Sequence, residues 1–312
     1  MNDSPFAEST IPGEKIFHGV ALPKTLSPVS PAVSGADALV QGVTKNSSLL
    51  SSLLRKHGAI LFRGFDVSGA SDLRRVVEAF EWEEMPYLGG SPRLKIDERV
   101  YTSNEAPLDL FIRFHHEMSL MKEIPSKIFF FCLTPPREGG ETALARSDVL
   151  FREMVRRVPE FVNRVAEVGT VVELEYPKEN TTDLIMGTSW KSVLETDDPS
   201  LAKQRALEKM ECSSFEITKD GHAEVLFGPL QVIRTLDGQT LWFNNIDGSD
   251  VKLGDGNPVP HEAIDAYRET LGEISVDIEW QKGDVLLVDN WSVQHARRPG
   301  KPPRQILVSL CK

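Results

Sequence analysis

What the chain lacks narrows the field first. Its three cysteines, Cys132, Cys212 and Cys311, are scattered through 312 residues and form neither a disulfide framework nor a CxxC pair. A reducing compartment, the cytoplasm, is therefore the expected location. No Lys/Arg run exceeds two residues, and 46 acidic against 35 basic side chains leave a net charge of −11. Gripping a phosphate backbone takes a dense basic surface, so nucleic acid is not an expected partner. Apolar runs are short as well. Ile128–Leu133 falls far below a bilayer span, and no membrane partner is expected. The opening MNDSPFAEST shows neither the layout of a signal peptide nor that of a transit peptide. No internal repeat is visible, and no long linker divides the chain.

What is present reads as strands with helices set between them. Residues 1–45 are rich in Ser and Pro and are expected to form an irregular arm, with one domain over 46–312. From Ser47, Leu49, Leu50, Leu53 and Leu54 mark a helix that Gly58 stops, and Ala59–Phe62 is a short buried strand. Leu73, Val76, Val77 and Phe80 mark a second helix with Ser71 as N-cap. Lys127–Leu133 is apolar on both faces, as a strand buried from both sides must be. A helix starts near Ser147, and FEITKDGHAEVLF reads as a hairpin with Asp220-Gly221 at its tip. Another helix runs from about Pro260 to Leu271, with Gly272 as cap. Alternation from Ile274 to Trp280, a turn at Lys282-Gly283, Val285–Val288 and Arg304–Leu310 complete a mainly β pattern. The expected fold is a jelly roll decorated by helices.

Seven histidines make a His-x-Glu pair unsurprising, and the chain holds two, His115-His116-Glu117 and His222-Ala223-Glu224. In either, period-two geometry would put the first and third side chains on one strand face, as two ligands of one metal require. The second pair sits at a hairpin tip, where side chains are usually solvated, and reads as structural. The first lies among Phe111, Ile112, Phe114, Met118 and Leu120, and its bland reading is a buried histidine with an ordinary hydrogen bond. His295, after DVLLVDNWSVQH, supplies a third donor, and Arg297, Arg298 and Arg304 follow it. Two imidazoles and a carboxylate on one side of an iron leave three positions open. A 2-oxo acid fills two of these and O2 the third, while an arginine can pair with a far carboxylate.

YTSNEAP, FHHEMSLMKEIPSKIFFFCLTPPREGGETALARSDVL and WQKGDVLLVDNWSVQHARRP…PPRQILVSL appear in that order. Together they resemble the taurine dioxygenase and clavaminate synthase-like family, most of all its plant clavaminate synthase-like branch. The likeness runs from about Ala59 to the C-terminus. It implies a double-stranded β-helix and an Fe(II)- and 2-oxoglutarate-dependent dioxygenase that releases succinate and CO2. Carried over by residue, His115, Glu117 and His295 would hold iron, with Thr142 of GGET and Arg304 on 2-oxoglutarate. Asn104 and Glu105 stand where relatives place substrate-side groups, and Trp190 is a candidate for the substrate mouth. His116 should face away from the metal. The expected reaction is hydroxylation of a small, amino-acid-derived metabolite. Desaturation or cyclisation on another substrate class, or a catalytically silent metal-binding jelly roll, are the alternatives.

Overall fold

The structure, a computed structural model, describes residues 5–312. The larger sheet has eight strands, ordered Phe6–Ser9, Lys24–Pro28, Ala59–Phe62, Val285–Asp289, Lys127–Thr134, Gln305–Cys311, Val100–Thr102 and Lys95–Asp97. A four-stranded sheet runs Val276–Ile278, Thr142–Arg146, Val293–Arg297, Ile112–His115, and a second runs Cys212–Ile217, Ala223–Leu230, Thr170–Tyr176, Val251–Leu253. The fold is mainly β with inserted helices.

The central strand Lys127–Thr134 shows how the sequence builds two cores at once. Ile128, Phe130 and Cys132 face one apolar cluster, and Phe129 and Phe131 face another. Its neighbour Val285–Asp289 does the same, with Leu286 and Val288 on the first side and Val285 and Leu287 on the second. Phe129 and Phe131 are fully buried, which contributes roughly 1.5–3 kcal/mol for each side chain. The second cluster is closed by Leu39, Leu50 and Leu54 of the helix Ala36–His57 and by Leu73, Val76 and Val77 of the helix Ala70–Glu78. The first cluster surrounds the candidate site.

Several local expectations need correction. The N-terminal stretch is not irregular: Phe6–Ser9 and Lys24–Pro28 extend the large sheet, the latter parallel to Ala59–Phe62. Leu22 and Leu26 are buried and anchor it, while Pro28 ends a strand and Pro12 and Pro31 lie outside the strands, so no ladder donor is lost. The first long helix begins at Ala36, not near Ser47. It kinks at Asn46 (φ −122°, ψ 18°), whose side chain donates to Gly42 O at 2.8 Å, and this kink interrupts the apolar period. Gly58 ends it as expected, at φ 77°. A Cβ there would lie 2.5 Å from Val293 Cγ2, so the helix end presses on the strand that carries His295. Gly69, not Ser71, caps the next helix, because Asp72 accepts from the backbone and hydroxyl of Ser68 and draws the start back. The helix His261–Ile274 runs through Gly272 to a Ser275 cap, since buried Leu271 and Ile274 carry it on. Among the described residues, no helix is long and apolar enough to cross a membrane.

Candidate metal centre

His115 is the last residue of Ile112–His115, and His295 is the middle residue of Val293–Arg297. Cross-strand register sets them opposite one another, with ring centroids 4.3 Å apart. Glu117 lies beyond the strand, in a turn where Met118 adopts φ 56°. Strand alternation therefore does not aim Glu117; buried Asn290 does. Its Oδ1 accepts from Glu117 N at 2.7 Å, and its Nδ2 donates to Glu117 O at 3.1 Å and Pro125 O at 2.8 Å. The outcome is one cluster. The candidate donor atoms of His115, Glu117 and His295 all lie within 4.8 Å of one another. Glu117 Oε2 is 3.6 Å from His295 Nε2.

The protonation states suit a cation. His115 Nδ1 faces Arg113 O at 2.7 Å, so its proton belongs there and Nε2 keeps a lone pair. Burial, and then His295, push its pKa down to about 4, leaving the ring neutral at pH 7. Burial opposes ionisation of Glu117, but the Arg93 guanidinium and His295 outweigh it and hold the carboxyl well below its usual range. Arg93 Nη2 donates to both Glu117 oxygens, at 3.0 and 2.9 Å. A neutral imidazole and an ionised carboxylate are donors that iron accepts, so the residues present fit the metal. His116 faces elsewhere. Its Nε2 meets Ser147 Oγ at 3.0 Å, and its ring stacks on Phe243 at 4.0 Å.

The same cavity, of about 280 Å³, is lined by the three candidate ligands together with Thr142, Arg304 and Asn104. Thr142 is buried and its hydroxyl accepts from Trp280 Nε1 at 3.2 Å. Arg304 donates through Nε to Gly140 O at 2.8 Å, and its Nη1 is 3.5 Å from Ser103 Oγ. Among the described residues no acid forms a salt bridge with it, although Glu141 acts on it through space. Burial and then Arg297 lower its pKa to about 10, so it remains a charged, under-compensated cation. Gly140 sits at φ 69°, and a Cβ there would come within 3.1 Å of Arg304 Cδ. The second glycine of GGET thus leaves room for the arginine.

Other candidates fall differently. Asn104 lines the cavity, donates to Ile185 O at 3.0 Å and accepts from Ala106 N at 2.8 Å. Glu105 is exposed and outside the lining. Trp190 is also outside it. The indole is buried against Phe215 and donates to Gly221 O at 2.9 Å, because its short helix packs inward on the hairpin. His222, beside the hairpin tip, pairs with Glu175 of the adjacent strand Thr170–Tyr176 at 3.0 Å and is not part of the His115, Glu117 and His295 cluster. Arg297 is buried, not superficial, and donates to the carbonyls of Asn104, Ala106, Pro107 and Leu110. Arg298 pairs with Asp277. Sequence reasoning missed Arg93 and Asn290. Asn290 stands in the DN of the GDxLLxDN element, but Arg93 lies in a stretch without period or motif.

On this mainly β scaffold, two histidines and a glutamate converge in one cavity as a candidate metal centre. The chain belongs to the Taurine catabolism dioxygenase TauD, TfdA family, which matches residues 26–311. It is an oxygenase of the Fe(II)- and 2-oxoglutarate-dependent type. A clavaminate synthase-like protein of Arabidopsis thaliana is 39% identical to it over 98% of both chains. The dapdiamide synthesis protein DdaC of Enterobacter agglomerans is 27% identical over 90% of this chain and 93% of its own. In fold, the chain is similar to PvcB of Pseudomonas aeruginosa (TM-score 0.59, 15% identity, 100% and 93% coverage). It is also similar to AAD-2, solved with Mn(II) and N-oxalylglycine (TM-score 0.53, 14% identity, 98% and 97% coverage).

Proposed function

We propose that the protein hydroxylates an unactivated C–H bond of a small, carboxylate-bearing, amino-acid-derived metabolite, within one jelly-roll domain of double-stranded β-helix type. The observation that carries this reading is the convergence of His115, Glu117 and His295 in the cavity that also presents Thr142 and Arg304. His115, through Nε2, Glu117 and His295 would hold Fe(II). Thr142 and Arg304 would receive the carboxylate of 2-oxoglutarate, the arginine by charge-assisted hydrogen bonds. Bound iron with 2-oxoglutarate and O2 supplies the oxidising power, with succinate and CO2 as co-products. The protein's own part is orientation and dryness. Asn290 fixes Glu117, Phe130 packs edge-on against His295 at 5.2 Å, and Met118, Leu120 and Met121 add apolar lining beside the polar groups.

Charge favours an anionic substrate. Arg93, Arg113, Arg297 and Arg304 line the cavity with Glu117 and Asp250, while Asp247 lies 3.9 Å from Arg113 and Asp109 and Glu105 act on Arg297 from outside the lining. Fe(II) and doubly charged 2-oxoglutarate would cancel, so the guanidinium groups that face the cavity remain to attract a substrate carboxylate. The dapdiamide synthesis protein DdaC, and PvcB, an oxygenase from an isonitrile synthetic pathway, are named for the synthesis of small molecules, in keeping with a small substrate. The test is succinate release across amino acids, their acylated derivatives and the matching primary amides. Release stimulated by acids supports the reading; stimulation by neutral compounds alone would overturn its substrate class.

A further inference from the structure

Building on that metal assignment, we infer that Arg93 is a positioning residue that reserves one oxygen of Glu117 and keeps the carboxylate to a single bond with the metal. A carboxylate ligand has two oxygens, and a second metal bond would consume one of the three positions that the co-substrates need. The structure provides a device against this. Arg93 Nη2 lies within 3.0 Å of both Glu117 oxygens, and only 6% and 5% of the two side chains are exposed. Oε2 is the oxygen turned toward His295, at 3.6 Å. With the metal on Oε2, Oε1 stays with Arg93.

Arg93 is itself held in place. Its guanidinium stacks on the Tyr87 ring at 4.2 Å, and the Tyr87 hydroxyl accepts from Ser91 N at 2.9 Å, closing the loop that carries both residues. Nε and Nη1 are buried and, among the described residues, have no hydrogen-bond partner. Leaving the N–H donors of two nitrogens unmet is costly, so the pairing with Glu117 and the stacking on Tyr87 outweigh the alternative of turning the side chain to solvent. A purely structural arginine would not need to face a metal ligand at that expense. Asn290 holds the Glu117 backbone from the opposite side, so main chain and carboxylate are fixed separately.

The experiment is crystallographic and thermodynamic, on the full chain loaded anaerobically with Mn(II). In the wild type, Oε2 should bind Mn(II) while Oε1 accepts from Arg93. In Arg93→Met, both oxygens should bind the metal. Its Mn(II) affinity should be retained while 2-oxoglutarate affinity falls about tenfold or more, and Arg93→Lys should restore part of the loss by returning one donor to Oε1. Arg93 turned away from Glu117 in the loaded wild type, which needs no variant, would overturn the inference. So would wild-type 2-oxoglutarate affinity in Arg93→Met. Mn(II) bound away from His115, Glu117 and His295 would instead refute the metal assignment itself.

Discussion

Replacing Arg304 with Gln tests the co-substrate half of the site. The guanidinium already spends Nε on Gly140 O, and its nearest other protein oxygen, Ser103 Oγ, is 3.5 Å from Nη1. Burial and Arg297 work against the cation more than Glu141 offsets, so an arriving carboxylate would supply the missing compensation. Glutamine keeps a polar group but loses both the charge and the fork. A charge-assisted contact in a desolvated site is worth about 2–4 kcal/mol, or roughly thirtyfold to a thousandfold in affinity. Calorimetry on the Mn(II)-loaded protein should show that loss for 2-oxoglutarate, with Mn(II) affinity unchanged. A monocarboxylic 2-oxo acid, which has no far carboxylate, should weaken much less. Equal weakening of both acids would refute the pairing and indicate general damage to the pocket.

Other outcomes follow from neighbouring residues. Asn290→Ala removes three hydrogen bonds at Glu117 and Pro125. It should cost about 3 kcal/mol of stability and about tenfold in metal affinity, read by denaturant melts and Mn(II) titration. His222→Ala should leave Mn(II) affinity within about twofold, because its partner Glu175 is exposed and the pair is a surface contact; loss of metal would mean that the other His-x-Glu pair is the ligand pair. Acid should destabilise the metal-free protein. His115 falls from 6.5 to about 4 on folding, so the unfolded chain binds more protons between those values and stability is lost as pH drops through that window. His115 alone accounts for about 3 kcal/mol, and His115→Gln should flatten the slope in denaturant melts at pH 7 and pH 4.5.

The parts legible in sequence are those set by period and by short motifs. Lys127–Thr134 and Val285–Asp289 show their double burial as apolar runs, and His115 and His295 fall in the short HxE and GDxLLxDNxxxxH motifs. The N-terminal strands were hidden because Ser and Pro dilute a signal that rests on only a few buried residues, such as Leu22 and Leu26. The kink at Asn46 broke one helix into an apparent half, since a side-chain amide there occupies a main-chain acceptor. Within the site, the cluster was readable but its support was not. Glu117 owes its direction to Asn290, 173 residues away, and its charge balance to Arg93, 24 residues away. Contacts of that kind leave no period in the chain. Trp190 misled for the opposite reason, because an isolated tryptophan in a polar loop looks like a mouth residue yet is buried against Phe215.

The central claim is that His115, Glu117 and His295 hold an iron that also receives 2-oxoglutarate in this cavity. Adding Fe(II) and then 2-oxoglutarate to the protein without oxygen tests it directly, by the visible charge-transfer absorption of a 2-oxo acid chelated to iron. The account predicts that band in the wild type, its absence in Glu117→Ala and His295→Ala, and its persistence in His222→Ala. A wild-type protein that binds both Fe(II) and 2-oxoglutarate yet shows no band, or a band undiminished in Glu117→Ala, would contradict it.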